Sequence, residues 1–165
     1  MAQDISRLIA ALRSDDAGSR QVAAEELATL GPDAAPAAVA LVETCAVDDD
    51  ATRELCAAAL EELGCPDSGD RDALAALLSD PLGDVAYWAA TLLGRMKGDA
   101  AAAVNPLARA LVEHPDLAAR QRAAWALGKI GPAASAARDA LEQAAADSDP
   151  RLSRLAQSAL DGLSK

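Results

Sequence analysis

Four glycines, Gly31, Gly64, Gly98 and Gly131, stand 33, 34 and 33 residues apart. Each closes an apolar pattern that advances in steps of four and three: Ala23/Leu27/Leu30, Cys56/Leu60/Leu63, Ala89/Leu93/Met96 and Ala123/Leu127/Ile130. Steps of that size mark one face of a helix. Glycine adopts the left-handed conformation after a helix at the least cost, so the ladder predicts four C-terminal stops. A fifth, frayed copy follows at Ala156/Leu160/Leu163. The wording recurs as well as the spacing: "AAEELATLGP" at 23–32 and "AAWALGKIGP" at 123–132 share the Ala-Ala pair, a leucine and the closing Gly-Pro.

Other apolar stripes lie between these helices, at Leu8/Ile9/Leu12, Val39/Val42, Leu74/Leu77/Leu78, Leu107/Leu111 and Ala137/Leu141. Pro32, Pro36, Pro66, Pro106 and Pro132 fall at or near the starts of these segments, where a missing N–H costs little. Pro81, Pro115 and Pro150 fall in the turns that follow, beside Asp80, Asp116 and Asp149. Hydrophobic residues make up 52 %, mostly Ala and Leu, while Phe is absent and β-branched residues are few. Such a core needs closely approaching helices and disfavours a sheet. The expectation is an all-α chain of five helical hairpins, about ten helices, in one domain over 1–165. The repeats run approximately 3–31, 32–64, 65–98, 99–131 and 132–163. A period of this length signals a solenoid, in which each hairpin buries its apolar face against its neighbours.

The phrases resemble HEAT repeats, particularly the short bacterial kind also found in phycobilin lyases. An Asp in the turn, an Arg four residues later and a pair of small residues carry the resemblance. They read Asp16/Arg20/Ala23-Ala24, Asp49/Arg53/Cys56-Ala57 and Asp116/Arg120/Ala123-Ala124, with "LGKIG" at Leu127–Gly131. The resemblance implies a right-handed α-solenoid, an α-α superhelix. It also implies that the three Asp/Arg pairs form a structural ladder between successive repeats. Leu82 and Ala86 replace the pair in the third repeat, and Ser153 follows Asp149 in the fifth, so the ladder is expected to be interrupted there.

By the same resemblance, the second helix of each hairpin lines a concave face. With Ala23 and Leu27 buried, the exposed stripe falls at positions equivalent to Gln21, Glu25 and Ala28. It reads Glu54/Ala58/Glu61, then Tyr87/Thr91/Gly94, Gln121/Trp125/Gly128 and Arg154/Ser158/Asp161. Two of the chain's three aromatics, Tyr87 and Trp125, stand at places where other repeats carry no large apolar residue. Exposed Tyr and Trp beside Arg suit binding anchors; a surface filler over an Ala-rich helix is the competing reading. Gly94 and Gly128 would let a partner approach the backbone. Trp88, whose equivalents are mostly apolar, reads as half-buried packing. Arg95, Arg122, Lys129 and Arg154 lie on or near the same stripe, whereas Glu25, Glu54, Glu61 and Glu62 make its first half acidic.

The net charge of −11 follows that division: residues 1–82 hold 5 Lys/Arg against 17 Asp/Glu, and 83–165 hold 10 against 9. An acidic chain repels nucleic acid and anionic membranes, which call for a clustered basic footprint. The opening "MAQDISRLIAALRSDD" has an early acid and no continuous apolar core, so neither a leader nor a membrane span is expected, and a cytoplasmic monomer is the default. Cys45, Cys56 and Cys65 lack paired spacing for a metal, and Cys56 occupies a slot held elsewhere by Ala, which predicts buried packing. The run Asp48–Asp50 is explained by helix capping. His114, alone in "VEHPD", reads as an exposed turn residue without catalytic companions. These features point to a non-catalytic interaction module without a cofactor, holding a partner protein or peptide against Tyr87, Thr91, Arg95, Gln121, Arg122, Trp125, Lys129 and Arg154. The alternatives are a phycobilin-lyase-like chromophore-handling protein or chaperone, a DNA-reading HEAT-like enzyme, and a plain structural spacer.

Overall fold

In the computed structural model, residues 2–47 and 49–164 are described, which leaves Asp48 of the acidic run outside the described residues. The chain divides into two compact units, 1–70 and 71–165, each built of helical hairpins.

The first unit begins with α1 (Ala2–Leu12) and α2 (Ala17–Leu30). A 3-10 stretch, Gly31–Ala37, leads to α3 (Ala38–Thr44) and α4 (Asp50–Glu62), and a 3-10 turn at Ser68–Asp70 ends the unit. The side chain of Asp16 starts α2 by accepting hydrogen bonds from the Ser19 N–H and hydroxyl, both at 2.7 Å. The hairpins pack through α2 against α4 and α1 against α3. Ala23, Ala24, Leu27, Ala38, Leu41, Cys56 and Leu60 form the core, in agreement with the small-residue slot read for Cys56.

The second unit holds three hairpins: α5 (Arg71–Leu77) with α6 (Gly83–Met96), α7 (Val104–Glu113) with α8 (Leu117–Ile130), and α9 (Arg138–Ala145) with α10 (Pro150–Gly162). The second helices α6, α8 and α10 lie side by side in that order and form one layer. α7 and α9 neighbour each other in the other layer, with 3-10 stretches at Lys97–Ala103 and Gly131–Ala137 before them. Leu74, Leu92, Leu93, Leu107, Leu111, Leu127 and Leu141 fill the space between the layers. Pro32 and Pro132 therefore start 3-10 stretches rather than α-helices, and Pro150 is the first residue of α10 rather than part of the turn.

Three sequence expectations are corrected. Gly31, Gly64 and Gly131 take positive φ of 53°, 79° and 72°, but in the third repeat Lys97, not Gly98, occupies that conformation with φ 53°. The stops therefore fall at 31, 64, 97 and 131, and the extra residue of the third interval lies after the stop.

The Asp/Arg ladder is replaced by a Gln-to-Asp one. Gln21 Nε2 donates to Asp49 at 3.0 Å and Gln121 Nε2 donates to Asp149 at 2.9 Å, each bridging successive repeats. The arginines turn back to their own hairpins instead: Arg20 donates to the Ser14 carbonyl at 2.8 Å, Arg120 to the Leu111 carbonyl at 3.0 Å, and Arg53 pairs with Asp50. Only Arg120 also reaches forward, to Asp147 at 2.7 Å.

His114 is buried rather than exposed. Its Nδ1 accepts the Asp116 N–H at 3.0 Å, which leaves Nε2–H to donate to the Asp80 carbonyl at 2.9 Å. The imidazole thus joins the α5–α6 and α7–α8 turns, where the interrupted ladder supplies no rung.

Candidate functional site

The α6–α8–α10 layer gathers most of the residues nominated by the sequence. Tyr87 lies one turn into α6 and is half-buried, while its neighbour Trp88 is buried at 8 % exposure. The two rings meet edge to face at 5.4 Å, an arrangement their quadrupoles favour. Trp88 therefore packs inward, somewhat more than half-buried as read, and acts as a brace for Tyr87.

Arg122, from α8, crosses to α6. Its guanidinium lies 4.4 Å from the Tyr87 ring centroid, and its Nη2 donates to the Tyr87 hydroxyl. Trp125 follows one turn along α8, with the Arg122 guanidinium 5.0 Å and the Lys129 ammonium 5.6 Å from its ring. Cation–aromatic contacts of this kind contribute about 0.5–1 kcal/mol each at accessible positions. They also hold two long, otherwise mobile cations in place.

Gly94 seats the tryptophan. A Cβ placed there would collide with the six-membered edge of Trp125 and stand 3.1 Å from Ala126 Cα. Gly128 is crowded in the same way by Ala159, at 3.3 Å. Both glycines thus admit the next helix of their own layer, and the expectation that they open the backbone to a partner is corrected. Thr91 likewise offers no surface: it is 4 % exposed, and its hydroxyl donates to the Tyr87 carbonyl at 2.8 Å.

Beside the rings is a small cavity of about 120 Å³, lined by Tyr87, Gln121, Arg122 and Trp125 with Arg151 and Leu155 of α10. Arg95, Lys129 and Arg154 do not line it; Arg95 is half-buried in the last turn of α6, and Lys129 and Arg154 are exposed. Sequence reading missed Arg151. Its signal was present in the register, since it is the equivalent of Ala118, one turn before the stripe position Gln121. Among the described residues, neither Arg122, Lys129, Arg151 nor Arg154 is paired with a carboxylate. A larger hollow of about 540 Å³ lies between α5 and α7 in the other layer. It is lined largely by Ala75, Ala76, Pro106 and Ala110, with Arg109 and Glu113, and contains none of the aromatics.

Elsewhere, Cys45 and Cys56 are buried and Cys65 is exposed. Burial pushes the Cys56 thiol up to about 12, outside the range of a reactive thiolate. Among the described residues no group of three or more His, Cys, Asp or Glu gathers in metal-holding geometry, and no helix is long and apolar enough to cross a membrane.

Solved structures share this arrangement. An engineered protein from the Northeast Structural Genomics Consortium superposes with a TM-score of 0.68 at 21 % identity, over 97 % of this chain and 79 % of that one. A designed armadillo repeat protein in complex with the peptide (KR)4 gives 0.66 at 17 % identity, over 98 % of this chain and 82 % of its own. These likenesses show the fold, an all-α solenoid of helical repeats. No curated protein matches the chain. The sequence profile for HEAT repeats matches residues 71–161, which make up more than half of the chain and nearly all of the second unit. On that match and the hairpin order that bears it out, the chain belongs to the HEAT-repeat family.

Proposed function

We propose that this protein is a non-catalytic interaction module that holds an acidic segment of a partner protein against α6, α8 and α10 of its second unit. One observation carries the reading: Tyr87, Arg122, Trp125 and Lys129 form a continuous cation–aromatic stack whose cations have no carboxylate partner among the described residues. In a chain of net charge −11, three cations without a carboxylate partner, Arg122, Lys129 and Arg151, beside two half-buried rings leave a favourable place for an anion. The rings supply contact area at little rotamer cost. A designed armadillo repeat protein of similar fold is in complex with the peptide (KR)4. Here the sign of the side chains calls for the opposite charge. Arg154, exposed on the same stripe, extends the basic surface.

A chromophore held at the aromatic patch fits less well. The cavity of about 120 Å³ is well below the roughly 300–1,000 Å³ of small-molecule pockets, so it admits a group rather than a tetrapyrrole.

The reading is tested by calorimetric titration of the full chain with a ten-residue peptide of alternating Glu and Gly, and with (KR)4 as the charge-reversed control. Saturable binding of the acidic peptide alone is expected, weakening with added salt. It should be lost in Arg122→Ala/Trp125→Ala with the helical circular dichroism intact. Equal binding by the double variant, or preference for (KR)4, would refute it.

A further inference from the structure

The small cavity beside the stack has a narrower chemistry than the surface around it. Its volume of about 120 Å³ equals the liquid share of roughly four waters, enough for one compact headgroup. Two guanidiniums line it, Arg122 from α8 and Arg151 from α10, and none of its lining residues is acidic. Arg122 is fixed: one nitrogen donates to the Tyr87 hydroxyl, and its guanidinium carbon lies 4.4 Å from the Tyr87 ring centroid. Its remaining N–H groups have no acceptor among the described residues. Arg151 stands in the first turn of α10, a 13-residue helix, where the aligned peptide dipoles add positive potential.

The carboxylates that cap α8 and α10 are already engaged. Asp149 accepts the Leu152 N–H at 2.7 Å and the Gln121 amide at 2.9 Å, and Asp116 accepts the Ala119 N–H at 2.8 Å. A carboxylate ligand would use one guanidinium and leave the second without a counter-charge. A phosphoryl group, at roughly −1.5 to −2 charge with three acceptor oxygens, matches both. The planar fork of arginine suits that geometry better than the point charge of lysine.

We propose that this cavity receives a phosphorylated serine or threonine of the partner segment, with Arg122 and Arg151 on the phosphoryl oxygens and Trp125 as the wall. The proposal rests on the acidic-segment reading above and adds the group that is read. Three peptides test it on the full chain at pH 7, identical in a Glu/Gly framework but carrying Ser, Glu or phosphoserine at the centre. The phosphoserine peptide is expected to bind about ten-fold more tightly than the Glu peptide. Arg151→Gln should erase that advantage, so that the phosphoserine peptide loses about ten-fold more affinity than the Glu peptide. Equal affinities for the Glu and phosphoserine peptides would overturn the phosphoryl reading and leave the acidic-segment reading standing. No binding by any of the three would overturn both.

Discussion

Lys97 holds a backbone conformation that glycine holds at Gly31, Gly64 and Gly131. A side chain at φ 53° and ψ −129° is strained, by about 1–2 kcal/mol, because its Cβ crowds the adjacent backbone. Lys97→Gly should therefore raise the melting temperature by a few degrees, measured by thermal circular dichroism. An unchanged or lowered value would contradict that strain. Gly94 is the opposite case. Alanine is the better helix former by about 1 kcal/mol, yet Gly94→Ala should destabilise by about 1–3 kcal/mol in chemical denaturation, because the new methyl meets the Trp125 ring and the α8 backbone. For the cysteines, a thiol reagent on the native protein should label Cys65 alone, with Cys45 and Cys56 reacting only after unfolding. At this scale the sequence revealed Trp125 and Tyr87 as unusual for their positions. It could not reveal that Gly94 exists to seat a ring, because that depends on which helix crosses α6 and at what height. The glycine at 98 also drew attention away from its neighbour, which does the turning.

The helices are joined by rungs whose donors and acceptors the sequence suggested only in part. The aspartates were correctly read as turn residues, since Asp16, Asp116 and Asp149 each start a helix by accepting a backbone N–H. Across repeats, Asp49 and Asp149 accept from glutamines one residue beyond the expected arginines. An arginine four residues after the turn lies close enough to its own hairpin loop to satisfy carbonyls there, as Arg20 and Arg120 do. Tyr87 occupies the register of Gln21 and Gln121, so the third repeat exchanges the glutamine rung for an aromatic side chain. The Asp49 carboxyl is held below its ordinary 3.8, first by the Thr52 hydroxyl and then by the Gln21 amide. A carboxyl depressed in the folded state contributes stability that is present above the unfolded value and lost as pH falls through the folded one. The melting-temperature gap between wild type and Asp49→Ala should thus stay constant from about pH 7 to 5 and close below about 3.8. A gap that persists into strong acid would mean that the carboxylate charge is not what stabilises the rung.

Across the whole molecule, charge and family likeness divide at the same place as the helical contacts. Residues 1–70 carry 4 Lys/Arg against 15 Asp/Glu, whereas 71–165 carry 11 of each, and the HEAT profile lies within the second unit. The period of the apolar pattern was enough to read five hairpins. The division into two units was not legible, because it follows a short 3-10 turn, Ser68–Asp70, where the other junctions have seven-residue 3-10 stretches. Those differ in backbone geometry rather than in apolar spacing. A chain of residues 71–165 should fold alone, with a cooperative helical melt, since that unit has its own layer-to-layer core.

Whether the basic, aromatic face of the second unit holds an acidic segment is decided most directly by amide and indole N–H spectra of the labelled full chain during titration with the Glu/Gly peptide. The chain has two tryptophans, so two indole signals report separately on Trp125 at the surface and Trp88 beneath Tyr87. The expected result is a large, saturable shift of the Trp125 indole and of amides in α6, α8 and the first turns of α10, with little movement of Trp88. Shifts confined to α2 and α4, or an unmoved Trp125 at saturation, would contradict it.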